Sequence, residues 1–125
     1  AKALARVAAR RAAARAAPLA RLPIETRGGT VLVDPQAIAY ARFDGALVTL
    51  FAATASWVTT LTLSELEDRL GPDFVRVDRR HVVNLREVVR LEPNDAGGAT
   101  AVTRAGARVP VSRQARRDLA RRLAL

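Results

Sequence analysis

The chain has 125 residues, no cysteine, a single histidine and a formal charge of +9, and half of its residues are apolar. That length suits one domain with at most an appendage, while the missing cysteine excludes disulfides and thiolate metal sites, and His81 standing alone argues against zinc. No stretch approaches the roughly 20 continuous apolar residues of a membrane span, and no secretory signal opens the chain, so a cytoplasmic protein without membrane contact through this segment is expected.

Positive charge points to a polyanionic partner such as DNA, RNA or an acidic membrane, but the charge is uneven. Residues 1–22 carry Lys2, Arg6, Arg10, Arg11, Arg15 and Arg21 and no acid, whereas the remainder sets 15 arginines against 12 carboxylates. Arginine and alanine are both abundant, a bias that a GC-rich genome produces without any selection for binding.

Ala1–Ala17 is rich in helix formers and free of Gly and Pro until Pro18, with Leu4 and Val7 its only large apolar side chains. It predicts an Ala/Arg helix with little to bury, read as a linker over residues 1–22, with Pro18 and Pro23 bracketing the junction to a body at 23–125. There the period changes. Gly28-Gly29 predicts a hairpin between Ile24–Arg27 and Thr30–Asp34, and Asp44-Gly45 a second between Ile38–Arg42 and Leu47–Phe51. Trp57–Leu61 is β-type, and Trp57 is read as core or edge packing. Leu63, Leu66 and Leu70 recur at helical spacing, Ser64 with Glu67 fits a capping box, and Gly71-Pro72 stops a short helix at about 64–70.

Phe74–Val77 and Val82–Val83 are strand-like around a cationic corner, Arg76, Arg79 and Arg80. Val88–Leu91, Ala99–Thr103 and Ala107–Val111 follow, with a turn at Pro93–Gly98. Ser112 is the expected N-cap of a last helix carrying Ala115, Leu119 and Leu123 on one side. The expected fold is therefore mainly β, with about eight or nine short strands in antiparallel neighbours and two short helices. Nothing alternates as βαβ, so no Rossmann crevice is expected.

The corner is the first candidate site, because rigidly presented guanidinium forks suit guanine O6 and N7. Its plain alternative is a solvated connection with Arg partners at Asp78 and Asp73. Ser112-Arg113 is the second, a helix start able to face a phosphate, against an ordinary capped helix. Asn84 reads as an amide closing a turn on nearby backbone. Catalysis finds no support. No Gly-x-Ser-x-Gly elbow surrounds Ser56, Ser64 or Ser112, no Gly-rich phosphate loop precedes a Lys, and no carboxylates cluster for a metal. No enzyme and no cofactor are expected.

Taken in order, "VLVDPQAIAYARFDGALVTL", "LSELEDRLGPDFVRVDRRHVVNLREVVRL" and "GARVPVSRQARRDL" resemble the LytTR DNA-binding domain of bacterial transcription regulators, over about residues 24–123. The resemblance implies an elongated arrangement of small antiparallel sheets that binds double-stranded DNA through loops entering successive major grooves, at promoter direct repeats. It also implies an upstream receiver domain, as in two-component response regulators, and two copies side by side on DNA.

Carried over by motif, Arg79 and Arg113 match base-contacting positions, and the turn Asp44-Gly45-Ala46-Leu47 is a third contact region. Arg76, Arg80, Ala46, Ser112 and Arg116 complete the expected DNA-facing set, with Arg76 and Asn84 in structural or backbone-contacting roles. Asp78 stands where the family has His, Arg80 where it has Ser, and Phe43 where a small residue is usual. Ala46 and Leu47 bring no polar donor. A carboxylate facing phosphates opposes binding, so Asp78 is expected to pair with Arg80 or Arg76 or to point away from DNA. The competing reading is a protein-interaction or dimerisation module whose arginines only solubilise it. An RNA-binding domain lacks its aromatic platform.

Overall fold

Short β-branched runs separated by turn residues need partners to satisfy their backbone, and here they find them in three small antiparallel sheets. The computed structural model describes residues 21–26 and 28–123, which form ten strands and two α-helices. All ten strand-like runs of the sequence enter ladders, even the four-residue strands at 56–59, 81–84 and 108–111, so the number exceeds the eight or nine expected. The Ala/Arg helix expected over residues 1–22 lies almost wholly outside the described residues.

Strand β1 (Leu22–Thr26) pairs with β2 (Gly29–Val33), Leu22 opposite Val33 and Thr26 opposite Gly29. Strands β3 (Ile38–Phe43), β4 (Val48–Ala52), β5 (Ser56–Thr59), β6 (Phe74–Asp78) and β7 (His81–Asn84) make a five-stranded sheet in the order β5-β4-β3-β7-β6. Strands β8 (Val88–Pro93), β9 (Ala99–Thr103) and β10 (Arg108–Val111) make the third sheet, in the order β10-β9-β8.

Two cores meet across the central sheet. Successive strand residues point to opposite faces, and on β7 both faces are covered: Val82 and Val83 are each fully buried, in different cores. On the Val82 side, Leu22, Ile24 and Val33 of the hairpin pack with Ile38, Val48 and Leu50 and with Leu63, Leu66 and Leu70 of helix α1 (Leu63–Leu70). Trp57 packs partly buried against this core, as expected of it. On the Val83 side, Val77 meets Ala99, Ala101, Val109 and Val111 of the third sheet and Ala115 and Leu119 of helix α2 (Arg113–Arg122). The expected stripe on α2 stops one member early, since Leu123 is the C-cap and is 41% exposed.

The N-cap of helix α1 lies two residues before the expected one. Thr62, not Ser64, is the N-cap; its hydroxyl accepts from the Glu65 amide at 3.1 Å, and the Glu65 carboxylate accepts from the Thr62 amide at 3.0 Å. The earlier start places Leu63 inside the helix, on the same buried side as Leu66 and Leu70, which a cap at Ser64 would not do. Thr62→Ala is expected to lower stability by about 1 kcal/mol, read as a lower urea midpoint with an unchanged slope.

Candidate nucleic-acid interface

The cationic corner is a tight turn between β6 and β7, built by its own side chains. Asp78 accepts the Arg80 amide at 2.8 Å on the carboxylate oxygen that also takes His81 Nδ1 at 2.8 Å. An ionised carboxylate only accepts, so His81 donates through Nδ1. Arg76 braces the same turn from β6. Its Nε donates to the Asp78 carbonyl at 3.0 Å and one terminal nitrogen to the Arg79 carbonyl at 2.9 Å, while Glu67 of α1 stands 3.7 Å from the other. Asp78 therefore pairs with neither guanidinium expected for it. Its Oδ1 is taken instead by the Arg80 amide and the imidazole, the donors that the folded turn brings to it.

Two further loops are tied to this corner. The turn after β3 is closed by Asp44, whose carboxylate accepts the amides of Ala46 and Leu47, both at 2.9 Å, while Gly45 takes a φ of 104°. The Phe43 amide donates to the Arg80 carbonyl at 2.8 Å, which docks the loop on the corner. At the other side, the Ser112 amide donates to the Val77 carbonyl at 2.7 Å, so the start of α2 is anchored to the end of β6. Arg79 lines a recess with Phe43, Ala46 and Leu47 on one side and a second with Ser112 and Gln114 on the other. The corner thus lies between the other two loops.

Of the seven residues expected to face DNA, Ala46, Arg79, Arg80, Ser112 and Arg113 lie on these three loops, Arg76 on β6 and Arg116 within α2, in two kinds of surroundings. Arg79, Arg80, Arg113 and Ala46 are exposed. Among the described residues, the side chains of Arg79, Arg80 and Arg113 form no ion pair, whereas Arg86, Arg90, Arg104, Arg108 and Arg121 each face a carboxylate. Asp73, offered as a partner for the corner, pairs instead with Arg86 at 2.9 Å. Arg76 and Arg116 are half-buried and donate to backbone carbonyls, Arg116 to those of Gly97 and Gly98, both at 3.3 Å. The exposed Ser112 hydroxyl accepts the Ala115 amide at 3.1 Å as the expected cap, which sets Arg113 at the first helical position. Asn84 closes the turn onto the Arg86 amide as expected, but it is also fully buried and donates to the Ile38 carbonyl on β3.

The 94–98 turn was legible in the sequence only as a turn. The Asn94 side chain accepts the amides of Ala96 and Gly98, and the folded turn lies under Arg113, whose side-chain carbons and Nε stand about 3.0 Å from where a Gly97 Cβ would project. Asn in Pro-Asn-Asp-Ala-Gly-Gly signals a side-chain-closed turn, but nothing local says which later helix it supports.

Hydrogen bonds from the Leu47 and Ala46 amides, with the nearby Arg42 charge, hold the Asp44 carboxyl below its ordinary 3.8. A depressed carboxylate contributes order that is complete above its unfolded value and lost as pH falls through the folded one. The Ala46 and Leu47 amide shifts should therefore titrate together with a midpoint below 3.8. A midpoint above that value would remove Asp44 as the clasp of the loop.

Small antiparallel sheets carrying unpaired guanidinium groups on adjacent turns are the build of a DNA-binding domain. The profile of the LytTr DNA-binding domain matches residues 28–124, and the chain belongs to that LytTR family, as its motifs suggested. Over 105 residues it is 35% identical to the CO-responsive transcriptional regulator RcoM of Rhodospirillum rubrum, a match covering 80% of this chain and 44% of that protein. Over 100 residues it is 28% identical to the sensory transduction protein LytT of Bacillus subtilis, covering 79% and 42%. The chain thus spans less than half the length of these relatives. A LytTr DNA-binding domain from Bacillus cereus shares the fold, with a TM-score of 0.76 at 21% identity over 85% of this chain and 98% of that one.

Proposed function

We propose that this domain binds double-stranded DNA sequence-specifically as the output domain of a transcription regulator, with the loops at 44–47, 78–80 and 112–116 facing the duplex. The observation that carries this reading is the set of exposed guanidinium groups of Arg79, Arg80 and Arg113, without a carboxylate partner among the described residues, on two of three loops joined by backbone hydrogen bonds. An exposed arginine without a carboxylate keeps its donor fork free, and in the major groove that fork matches guanine O6 and N7. Arg79 and Arg113 supply base discrimination, and Arg80 contacts the phosphate backbone. Arg76, Ser112 and Arg116 hold the loops in shape through the bonds they make to backbone groups.

In the longer protein, the segment before β1 links this output domain to an upstream receiver domain of a two-component response regulator, and the output domain begins with β1 at Leu22. Two copies sit on direct repeats, loops in successive major grooves. A single isolated domain then binds weakly, since paired sites gain through effective concentration.

The test is selection of bound duplexes from a random pool by the native chain, Arg79→Ala and Arg113→Ala. The native chain should enrich one motif, and either variant should lose about 1–3 kcal/mol at it while relaxing the preference at a single position. Binding should also fall steeply with salt, by nearly one unit of logarithmic slope for each phosphate contacted. No enriched motif and a flat salt dependence would favour the protein-interaction module instead.

A further inference from the structure

Leu47 is unusual among the exposed large apolar side chains. Leu32, Val58, Val89 and Leu123 are also exposed, yet Leu47, at 41% exposure, is the member of that group that lines the recess shared with Arg79. Scattered surface leucines need no explanation, so position and rigidity have to carry the case. The position is beside an unpaired guanidinium, in a recess of about 250 Å³ that Phe43, Ala46 and Leu61 also line. The rigidity comes from Asp44, which clasps the Ala46 and Leu47 amides, from the Asp44 amide bond to the Leu47 carbonyl at 3.0 Å, and from the Phe43 bond to Arg80. The Arg80 guanidinium also reaches the loop, 3.9 Å from where a Gly45 Cβ would stand.

A loop held this firmly, with methyl-bearing tips and no side-chain donor, is poorly suited to reading guanine or adenine edges. In the major groove the one apolar mark is the C5-methyl group of thymine. We infer that Leu47, with Ala46 beside it, reads a thymine methyl next to the base contacted by Arg79. This rests on the major-groove reading above and adds a base identity to it. The pairing of a guanidinium with an apolar tip then selects a guanine with a thymine one or two base pairs away, and the loop contributes discrimination without a hydrogen bond.

Deoxyuridine deletes that methyl and nothing else. Each thymine of the duplex enriched by the native chain is replaced singly by deoxyuridine, and affinity is measured for the native chain, Leu47→Ala and Leu47→Asn. For the native chain, one replacement near the Arg79-dependent guanine should weaken binding about fourfold, the worth of one buried CH₂. Leu47→Ala should bind the thymine and uracil duplexes equally, while a native melting temperature shows that it is folded. Leu47→Asn should prefer adenine at that position, because its amide fits the N6 and N7 edge. A uracil penalty of equal size in the native chain and Leu47→Ala overturns the inference, as does the absence of any sensitive thymine or a Leu47→Asn chain that still prefers thymine. If those results appear while Arg79→Ala still loses discrimination, only the methyl contact falls. If no motif is enriched at all, the DNA reading falls with it.

Discussion

Asn84→Ala should lower the unfolding free energy by about 2–4 kcal/mol, because it removes the side-chain partner of the buried Ile38 carbonyl and of the part-buried Arg86 amide. Asn84 is fully buried at the end of β7; its amide nitrogen donates to the Ile38 carbonyl and its oxygen accepts the Arg86 amide, both at 3.0 Å. Asn84 therefore joins the start of β3 to the turn that leads out of the central sheet, 46 residues away in the chain. Truncation leaves a carbonyl and an amide without their side-chain partner and opens a gap at a fully buried position. Asn84→Asp keeps the acceptor but loses the donor toward Ile38, so it should be no better at neutral pH, when the buried carboxylate also has to lose its charge or its hydration. Urea unfolding at constant slope is the measurement. A midpoint shift worth less than roughly 0.5 kcal/mol for Asn84→Ala would show that neighbouring groups or water take over both bonds.

Gly98→Ala is the second large effect, and it reaches the interface. A Cβ at Gly98 would stand 2.4 Å from the Val111 carbonyl oxygen and 3.5 Å from the Arg113 amide, in a residue that is buried. The obstacle is backbone, so no rotamer change relieves it. Strand β10 has to move away from the 94–98 turn, but it is held from behind, where the Ser112 amide bonds the Val77 carbonyl at 2.7 Å. Overpacking of this kind costs about 1–3 kcal/mol. It should also displace Arg113, and the expected result is a lower melting temperature together with weaker binding to the selected duplex. Gly28→Ala is the control: nothing stands within 4 Å of its Cβ, so stability should stay within about 0.5 kcal/mol and DNA binding should not change. If Gly98→Ala melts and binds as the native chain does, the junction is looser than its geometry indicates.

Much of the architecture was open to a reading of local pattern. The Gly28-Gly29 and Asp44-Gly45 turns gave both hairpins, and Ser112 gave the start of α2, because turn and cap preferences act within four or five residues. Helix α1 was foreseen but its cap was misplaced, since Thr62-Glu65 and Ser64-Glu67 both satisfy the same spacing. Only the burial of Leu63 distinguishes them. Asp78 shows the same limit. Its charge suggested a nearby guanidinium, yet the folded turn sets the Arg80 amide and His81 nearer to it.

By itself the chain determined which segments form strands and helices, which side of each is apolar, and that Arg79 and Arg113 stand at bends. Periodicity, turn chemistry and capping are short-range effects, so they are written in neighbouring residues. Tertiary structure alone decided that β7 is buried on both faces and that Asn84 joins distant strands. It also decided that Arg76 and Arg116 hold loops while Arg79, Arg80 and Arg113 pair with no carboxylate among the described residues. Those outcomes depend on which carbonyls and carboxylates come within about 3 Å of a guanidinium, and residues far apart in the chain supply them only once the sheets have packed.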